Sequence, residues 1–532
     1  MSHSDQNFKI FITKILSRSN LSNTTLNKFT SDQNMKLFLQ AFTDRSFSAT
    51  SNFELFEFRG DVYINFIAAR YVRNRFPKIV SMDWLSRLKI ILQSKITLPI
   101  IAEKLSFRKF IRISGTIPRE KELQILEDVV EAFFGVIVII AGEHKGAASA
   151  ISYEILSSLY DDIDIKLDID LIIELKNRVK EIFDSQKWGE VIYQTYPWKG
   201  GFITKIYKNT DQKKELIMES DIFLDKESSI KNARDKVINK FKEFEKVRNP
   251  FVQKPKKDAI DLEIPTEITN DFTKWWKKML LYSGIIEDKI SLFMGKKNIQ
   301  IIRNSFISPK YSNTYNYSLN KFEGNAIVDA ILVEFILKNT KISNEGTLSK
   351  IRHSITKSDL YSDFAKKFDM IQFAMLKPII QDEIILDKPV LKNVAFDNQD
   401  YNELTRAFIG AFVSVIDSKC GFGIGYEMAY RMLTKYFISI NLKVDSSVIS
   451  DPITDLKELY TKKGWLFDSR GTKTMDYIIT EDNIHRITLH DGTVSRKILA
   501  IGEGKTKQEA KLEAVKKGLQ KLKETEKFKN RF

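Results

Sequence analysis

The feature that most constrains this chain is that it repeats itself once. Without gaps, Ala41-Phe42-Thr43 falls on Ser305-Phe306-Ile307, and Phe58-x-Gly60 falls on Phe322-x-Gly324, all at an offset of 264 positions. Further on, Leu85-Ser86-Arg87-Leu88 resembles Leu348-Ser349-Lys350-Ile351, and Ala132-x-x-Gly135-Val136 resembles Ala407-x-x-Gly410-Ala411. A tandem duplication explains this spacing better than chance, so both halves of the 532 residues must answer to one fold. That length allows three or four units, each able to bury its own core.

Between the halves runs RNPFVQKPKKDAIDL, Arg248 to Leu262, whose two Pro and basic cluster break helical periodicity; residues 248–262 read as a linker. Within each half, apolar residues at helical spacing, such as Phe56, Tyr63, Phe66, Ile67 and Tyr71, predict long helices. Each half then changes character. After about Ile165 and again after about Asp451 comes an amphipathic helix, then β-rich stretches such as Gly201–Tyr207 and Asp476–Leu489, then a basic helix. The expected chain is mainly α: a helical domain (1–165), a small α-β-β-β-α domain (166–247), the linker, a second helical domain (263–440) and a second small domain (450–525).

Composition narrows the chemistry. One cysteine, Cys420, leaves no intrachain disulfide and no Cys-based zinc site, and five scattered His form no ligand cluster, so carboxylates would have to hold any metal. The longest apolar run, Phe133 to Gly142, is well short of the roughly 20 residues of a membrane-spanning helix. The start, MSHSDQNFK, is no secretory signal, so no membrane partner and an intracellular location are expected. The net charge of +15 suits a polyanionic partner, and twelve Lys or Arg against five Glu fall between Arg496 and Phe532.

The carboxylates are arranged rather than scattered. Glu54, Glu57 and Asp61, at i, i+3 and i+7, share one stripe of a helix, where like charges repel. Gly60 in the same helix costs about 1 kcal/mol relative to Ala and suggests close approach to something. Asp128 and Glu131 lie one turn apart in a helix that is apolar almost all round and therefore buried. Buried carboxylates are costly unless a cation compensates them, and two such pairs facing each other would make an all-oxygen site suited to Mg²⁺. Acids on a wet surface paired to Lys remain the alternative.

The blocks Ala41-Phe42-Thr43-Asp44-Arg45-Ser46-Phe47, Glu54-x-x-Glu57-Phe58-x-Gly60-Asp61, Leu85-Ser86-Arg87-Leu88 and Asp128-x-x-Glu131-Ala132-x-x-Gly135 together resemble the ribonuclease III domain in order and spacing. The resemblance implies two all-α endonuclease-type domains. It makes Glu57, Asp61, Asp128 and Glu131 the catalytic, magnesium-binding set, with Mn²⁺ able to substitute and Glu54 as a supporting acid. Asp44 stands where the family usually has His, Arg59 replaces an apolar residue, and Phe53 separates Asn52 from Glu54.

Carried onto the second half, the same motif puts Lys321 and Asn325 on the first pair of acids and Glu403 and Arg406 on the second. Lys and Arg have no lone pair to offer a metal, so residues 263–440 read as a pseudo-domain in which Lys321 and Arg406 balance Glu403. Ribonuclease III domains work in pairs. The expectation is an intramolecular pseudo-dimer with one active centre, association of two chains being left open.

The run Gly502 to Leu519 resembles the last strand and helix of a double-stranded-RNA-binding domain, with Lys505, Lys507 and Lys511 at the helix start against phosphates and His485 in a loop between strands. Lys231 and Arg234 keep part of that basic motif in the first small domain. The resemblance implies an endonuclease that cuts double-stranded or hairpin RNA to 5′-phosphate and 3′-hydroxyl ends. The rival is a non-catalytic RNA-binding or ribonucleoprotein-assembly protein. The Ile-, Lys- and Asn-rich usage and the tandem arrangement further resemble ribonuclease III of large cytoplasmic DNA viruses, which points to processing of viral transcript 3′ ends in host cytoplasm or virion.

Overall fold

The computed structural model describes residues 3–116, 118–163, 175–210, 213–244, 269–312, 315–375, 380–381, 384–385, 397–444, 452–465, 474–480, 482, 484–493 and 496–529. The expected linker, 248–262, lies outside the described residues. The protein is mainly helical, with small antiparallel sheets. It divides into two compact units: Met1–Lys338 with Asp359–Asn441, and Asn339–Ser358 with Leu442–Phe532.

In the first unit the chain begins α1 (His3–Leu16), α2 (Asn23–Phe29), α3 (Asp32–Ala41), α4 (Glu54–Arg75), α5 (Met82–Leu92), α6 (Thr97–Lys104), α7 (Arg119–Ala141) and α8 (Lys145–Asp161). The apolar run 133–142 falls largely in α7 as buried core, and among the described residues no helix is long and apolar enough to cross a membrane. A small α-β-β-β-α module follows: α9 (Leu175–Ser185), β1 (Ile192–Trp198), β2 (Gly201–Thr210), β3 (Lys213–Glu219) and α10 (Lys226–Lys240). The second half then runs α11 (Asn270–Tyr282), α12 (Lys296–Asn304) and α13 (Ser318–Asn339) in this unit, and α14 (Glu345–Lys357) in the other. It returns as α15 (Leu360–Lys367), a short β4 (Ile380–Gln381) and β5 (Ile384–Ile385) pair, α16 (Asn398–Cys420) and α17 (Ile424–Ser439).

The repeat holds at the level of single hydrogen bonds. Asn52 Oδ1 accepts from Glu54 N–H (3.1 Å) at the start of α4 while its Nδ2 donates to Ser48 O. Asn316, 264 positions on, does the same with Ser318 N–H (3.0 Å) and Ser312 O at the start of α13. The asparagine thus caps a backbone group that a helix start leaves unpaired, and Phe53 or Tyr317 fits between cap and helix without disturbing it.

Two glycines in each half let a pair of helices touch backbone to backbone. A Cβ on Gly60 would lie 1.8 Å from Glu131 O, and one on Gly135 would lie 2.0 Å from Phe56 O, so α4 and α7 cross where neither can carry a side chain. Gly324 against Arg406 O (1.7 Å) and Gly410 against Asn320 O (2.0 Å) repeat the crossing between α13 and α16.

The second unit holds α18 (Pro452–Lys462), β6 (Met475–Ile479), β7 (His485–His490), β8 (Ile498–Gly504) and α19 (Lys507–Lys529). Its helices cover one face of the sheet around Leu456, Tyr460, Ile487, Leu489 and Val515.

Candidate active site

The α4–α7 crossing decides where the acids go. Because Gly60 rests on the backbone of Glu131, the stripe of α4 one turn either side of it faces Asp128 and Glu131 of α7. Carboxylate oxygens of Glu57, Asp128 and Glu131 all lie within 4.8 Å of one another. Glu131 is buried, 9% exposed, and its carboxyl is pushed well above the usual range by burial first and then by Asp61, Glu57, Glu127 and Asp128. A buried acid among four others is an unfavourable arrangement for the protein alone. Hard-oxygen donors at this spacing, with that repulsion to relieve, fit a divalent cation.

The remaining expected acids stand differently. Asp61 is outside the close trio yet is the strongest charged neighbour of Glu131. Glu54 is turned aside to Arg45, at 3.2 Å, so it supports the entrance of α4 rather than the trio. Asp44, the departure from His, is buried and accepts from Ser46 N–H at 2.7 Å, holding the turn before α4.

Two residues join the site that spacing did not single out. Glu127 is pushed up by burial and by Asp61 against the pull of Lys95. Burial pushes the Lys89 ammonium down, opposed by Asp329 and Asp61, and its Nζ sits 5.7 Å from the centre of the Phe322 ring. Lys89 directly follows the Leu85–Leu88 block, which was the available signal.

The sequence model of the Ribonuclease III domain matches residues 54–142, the segment that carries α4, α7 and this cluster. A protein of Invertebrate iridescent virus 6, named as a ribonuclease 3, is 30% identical over 222 residues, covering 38% of this chain and 76% of that relative. The chain belongs to the ribonuclease III family. It is an endoribonuclease of the ribonuclease III type. A similarly named protein of Frog virus 3 is 32% identical over 168 residues, 30% of this chain and 45% of its own. Ribonuclease 3 of Sulfurovum sp. is 28% identical over 236 residues, 43% of this chain and 93% of its own.

Against that family pattern, the second half builds ion pairs where the first gathers acids. Lys321 Nζ meets Glu403 Oε1 at 2.7 Å, and Tyr317 donates to Glu403 Oε2 at 2.6 Å. The Glu403 carboxyl is held low: burial raises it, but the bonds from Lys321 and Tyr317 outweigh that. Arg406 donates to Asn325 Oδ1 at 3.2 Å and lies over the Tyr361 ring. All four positions are thus satisfied by protein groups.

In the second unit, Lys505 and Lys507 are exposed at the start of α19 and Lys511 is half-buried one turn on. Lys507 Nζ lies 4.4 Å from the centre of the Tyr477 ring, and the Tyr477 hydroxyl meets His485 Nδ1 at 2.6 Å. One expectation needs correcting: His485 is not in a loop but opens β7, paired with Ile479 and Gly504, because the turn ends one residue earlier at Ile484. In the first small module Lys231 is exposed, whereas Arg234 is half-buried with its guanidinium 5.0 Å from the Tyr193 ring centre. Arg234 packs its own module rather than reaching outward.

Proposed function

We propose that this chain cuts double-stranded or hairpin RNA in a Mg²⁺-dependent reaction from one working centre, in the first of two paired ribonuclease III-type domains (1–165 and 263–440), the second being a pseudo-domain. The observation that carries the reading is the contrast at equivalent positions: Glu57, Asp128 and Glu131 within 4.8 Å of one another in one half, Lys321 bound to Glu403 and Arg406 to Asn325 in the other. Residues 450–525 act as a double-stranded-RNA-binding module, gripping phosphates with Lys505, Lys507 and Lys511 beside His485, while residues 166–247 form a similar module that binds RNA weakly, a protein-facing role being its alternative. Lys231 is the one outward cation of the partial motif in that weaker module.

Glu57, Asp128 and Glu131 would hold the cation, with Asp61 completing the field. When bound, a divalent ion, Mg²⁺ or Mn²⁺ in its place, stabilises charge on the oxygens of an in-line phosphodiester displacement. The chain's own contribution is to set the acids side by side, through the close backbone contact at Gly60 and Gly135, and to orient the duplex. Products would bear 5′-phosphate and 3′-hydroxyl ends. Likeness to viral relatives supports hairpins in viral transcripts, matured at their 3′ ends within the infected cell, as the natural substrate.

A hairpin RNA incubated with Mg²⁺ and the full chain tests this. Wild type cuts it; Glu131→Gln binds it equally and leaves it whole. Undiminished cutting by the variant would refute the site, and binding without cutting by the wild type would favour the assembly-protein reading.

A further inference from the structure

The surface where the two halves of the first unit meet carries a charge polarity. Arg59 Nε meets Glu334 Oε1 at 2.6 Å, and Arg70 Nη1 meets Glu323 Oε2 at 2.6 Å. These two ion pairs are one contact seen twice: Glu323 is position 59 plus the repeat offset of 264, and Glu334 is position 70 plus the same offset. Position 59 of one half faces position 70 of the other and the reverse, as in a two-fold interface between equal surfaces. The surfaces are not equal, because the first half puts Arg at both positions and the second puts Glu at both.

The neighbours follow the same rule. Lys145 Nζ reaches Glu334 Oε2 at 2.6 Å, Arg73 reaches Glu323 at 3.1 Å, and Arg70 also reaches Asp417 at 2.9 Å. Every cation in this set comes from the first half and every anion from the second; the reverse pair, Lys338 of the second half with Glu143 of the first at 2.9 Å, is exposed to solvent, where an ion pair contributes little. Arg70, Glu323 and Glu334 are buried, 7%, 1% and 3% exposed. Between these ion pairs the surface is apolar and not selective: Tyr426 stacks on Phe66 with ring centres 5.0 Å apart, and its hydroxyl donates to Tyr63 at 3.1 Å.

We infer that this interface accepts only a second-half surface against a first-half surface and rejects like with like. Two first halves brought together would bury Arg59 against Arg70 twice; two second halves would bury Glu323 against Glu334 twice. Buried like charges oppose association strongly, and such repulsion is how an interface excludes the wrong partner. The duplication has therefore converted a self-complementary surface into a one-way one. Two chains cannot pool their first halves into a pair with two acid clusters. The inference rests on reading the halves as a pseudo-dimer, but not on either half being catalytic.

The test uses the full chain and reads mass and melting temperature, which do not depend on cutting. One variant reverses the cations (Arg59→Glu, Arg70→Glu, Arg73→Glu, Lys145→Glu); a second reverses the anions (Glu323→Arg, Glu334→Arg, Asp417→Arg); a third carries all seven changes. Wild type is expected to sediment as a monomer of 61.7 kDa. Each one-sided variant should melt roughly 5–10 °C lower, the seven-fold variant should recover most of that loss, and the two one-sided variants mixed should form a complex of about twice the monomer mass. A wild-type dimer crosslinked between two first halves, or one-sided variants that melt like wild type, would overturn the inference. Should the reversed chains not fold, Arg59→Gln, Glu334→Gln and the pair together carry the same reading. A paired loss smaller than the sum supports the polarity, and a strictly additive loss overturns it.

Discussion

Glu131 concentrates the conflict that gives the site its chemistry. It is buried beside a helix crossing and surrounded by like charge, so under the proposed function Glu131→Gln should remove repulsion and cutting together. In chelator, the variant should be more stable than wild type by about 1 kcal/mol, seen as a higher melting temperature, while added Mg²⁺ should raise wild type more than the variant. Cutting should fall by more than the ~10–100-fold that losing an outer partner of a metal ligand costs, because Glu131 would hold the ion itself. Gly60→Ala tests the support instead: its methyl would collide with Glu131 O, and an unfolding curve should show a loss of about 3 kcal/mol. Helical spacing placed the acids on shared faces, the family resemblance singled out the four, and Gly60 was legible from its cost. Glu127 was not, and Lys89 had only its place after the Leu85–Leu88 block as a signal, since tertiary packing is what brings both beside Asp61. Arg59 was noticed only as a departure, although opposite charges at positions 59 and 323, and at 70 and 334, already lay one repeat apart.

At the scale of elements, α13 and α16 keep the crossing of α4 and α7 through Gly324 and Gly410 while exchanging acids for an ion pair. Lys321→Met should therefore cost stability modestly, about 1 kcal/mol because the pair is partly solvated, and leave RNA cutting by the first half unchanged; a loss of cutting would place Lys321 in the working site. At the entrance to α19, removing Lys505 or Lys507 should weaken binding to any duplex and lower the slope of log affinity against log salt by about 1 each. The helix-strand order of both small modules could be read from periodicity. The fates of His485 and Arg234 could not: whether a residue ends a turn or opens a strand is settled by ladder register, and whether an arginine faces out is settled by an aromatic ring from a distant strand.

For the whole molecule, the proposed duplication would separate two jobs that identical halves would share. One half keeps the acids, and the other answers it with complementary charge. Holding the halves together has a pH signature. Burial raises the Glu334 carboxyl, but Arg59 and Lys145 outweigh it and hold it below its usual value. A carboxyl depressed on folding adds stability above its unfolded value, about 4.3, and that stability is lost as pH falls through the lower folded value. Melting temperature should thus drop on acidification below about pH 4, and Glu334→Gln should flatten that drop. The claim of one working centre is tested most directly by a duplex RNA labelled on both strands, cut with Mg²⁺ under single-turnover conditions at concentrations where the chain is monomeric. Only one strand should be cut in each encounter, with the intact complement recovered. Simultaneous cutting of both strands by a single chain would contradict it.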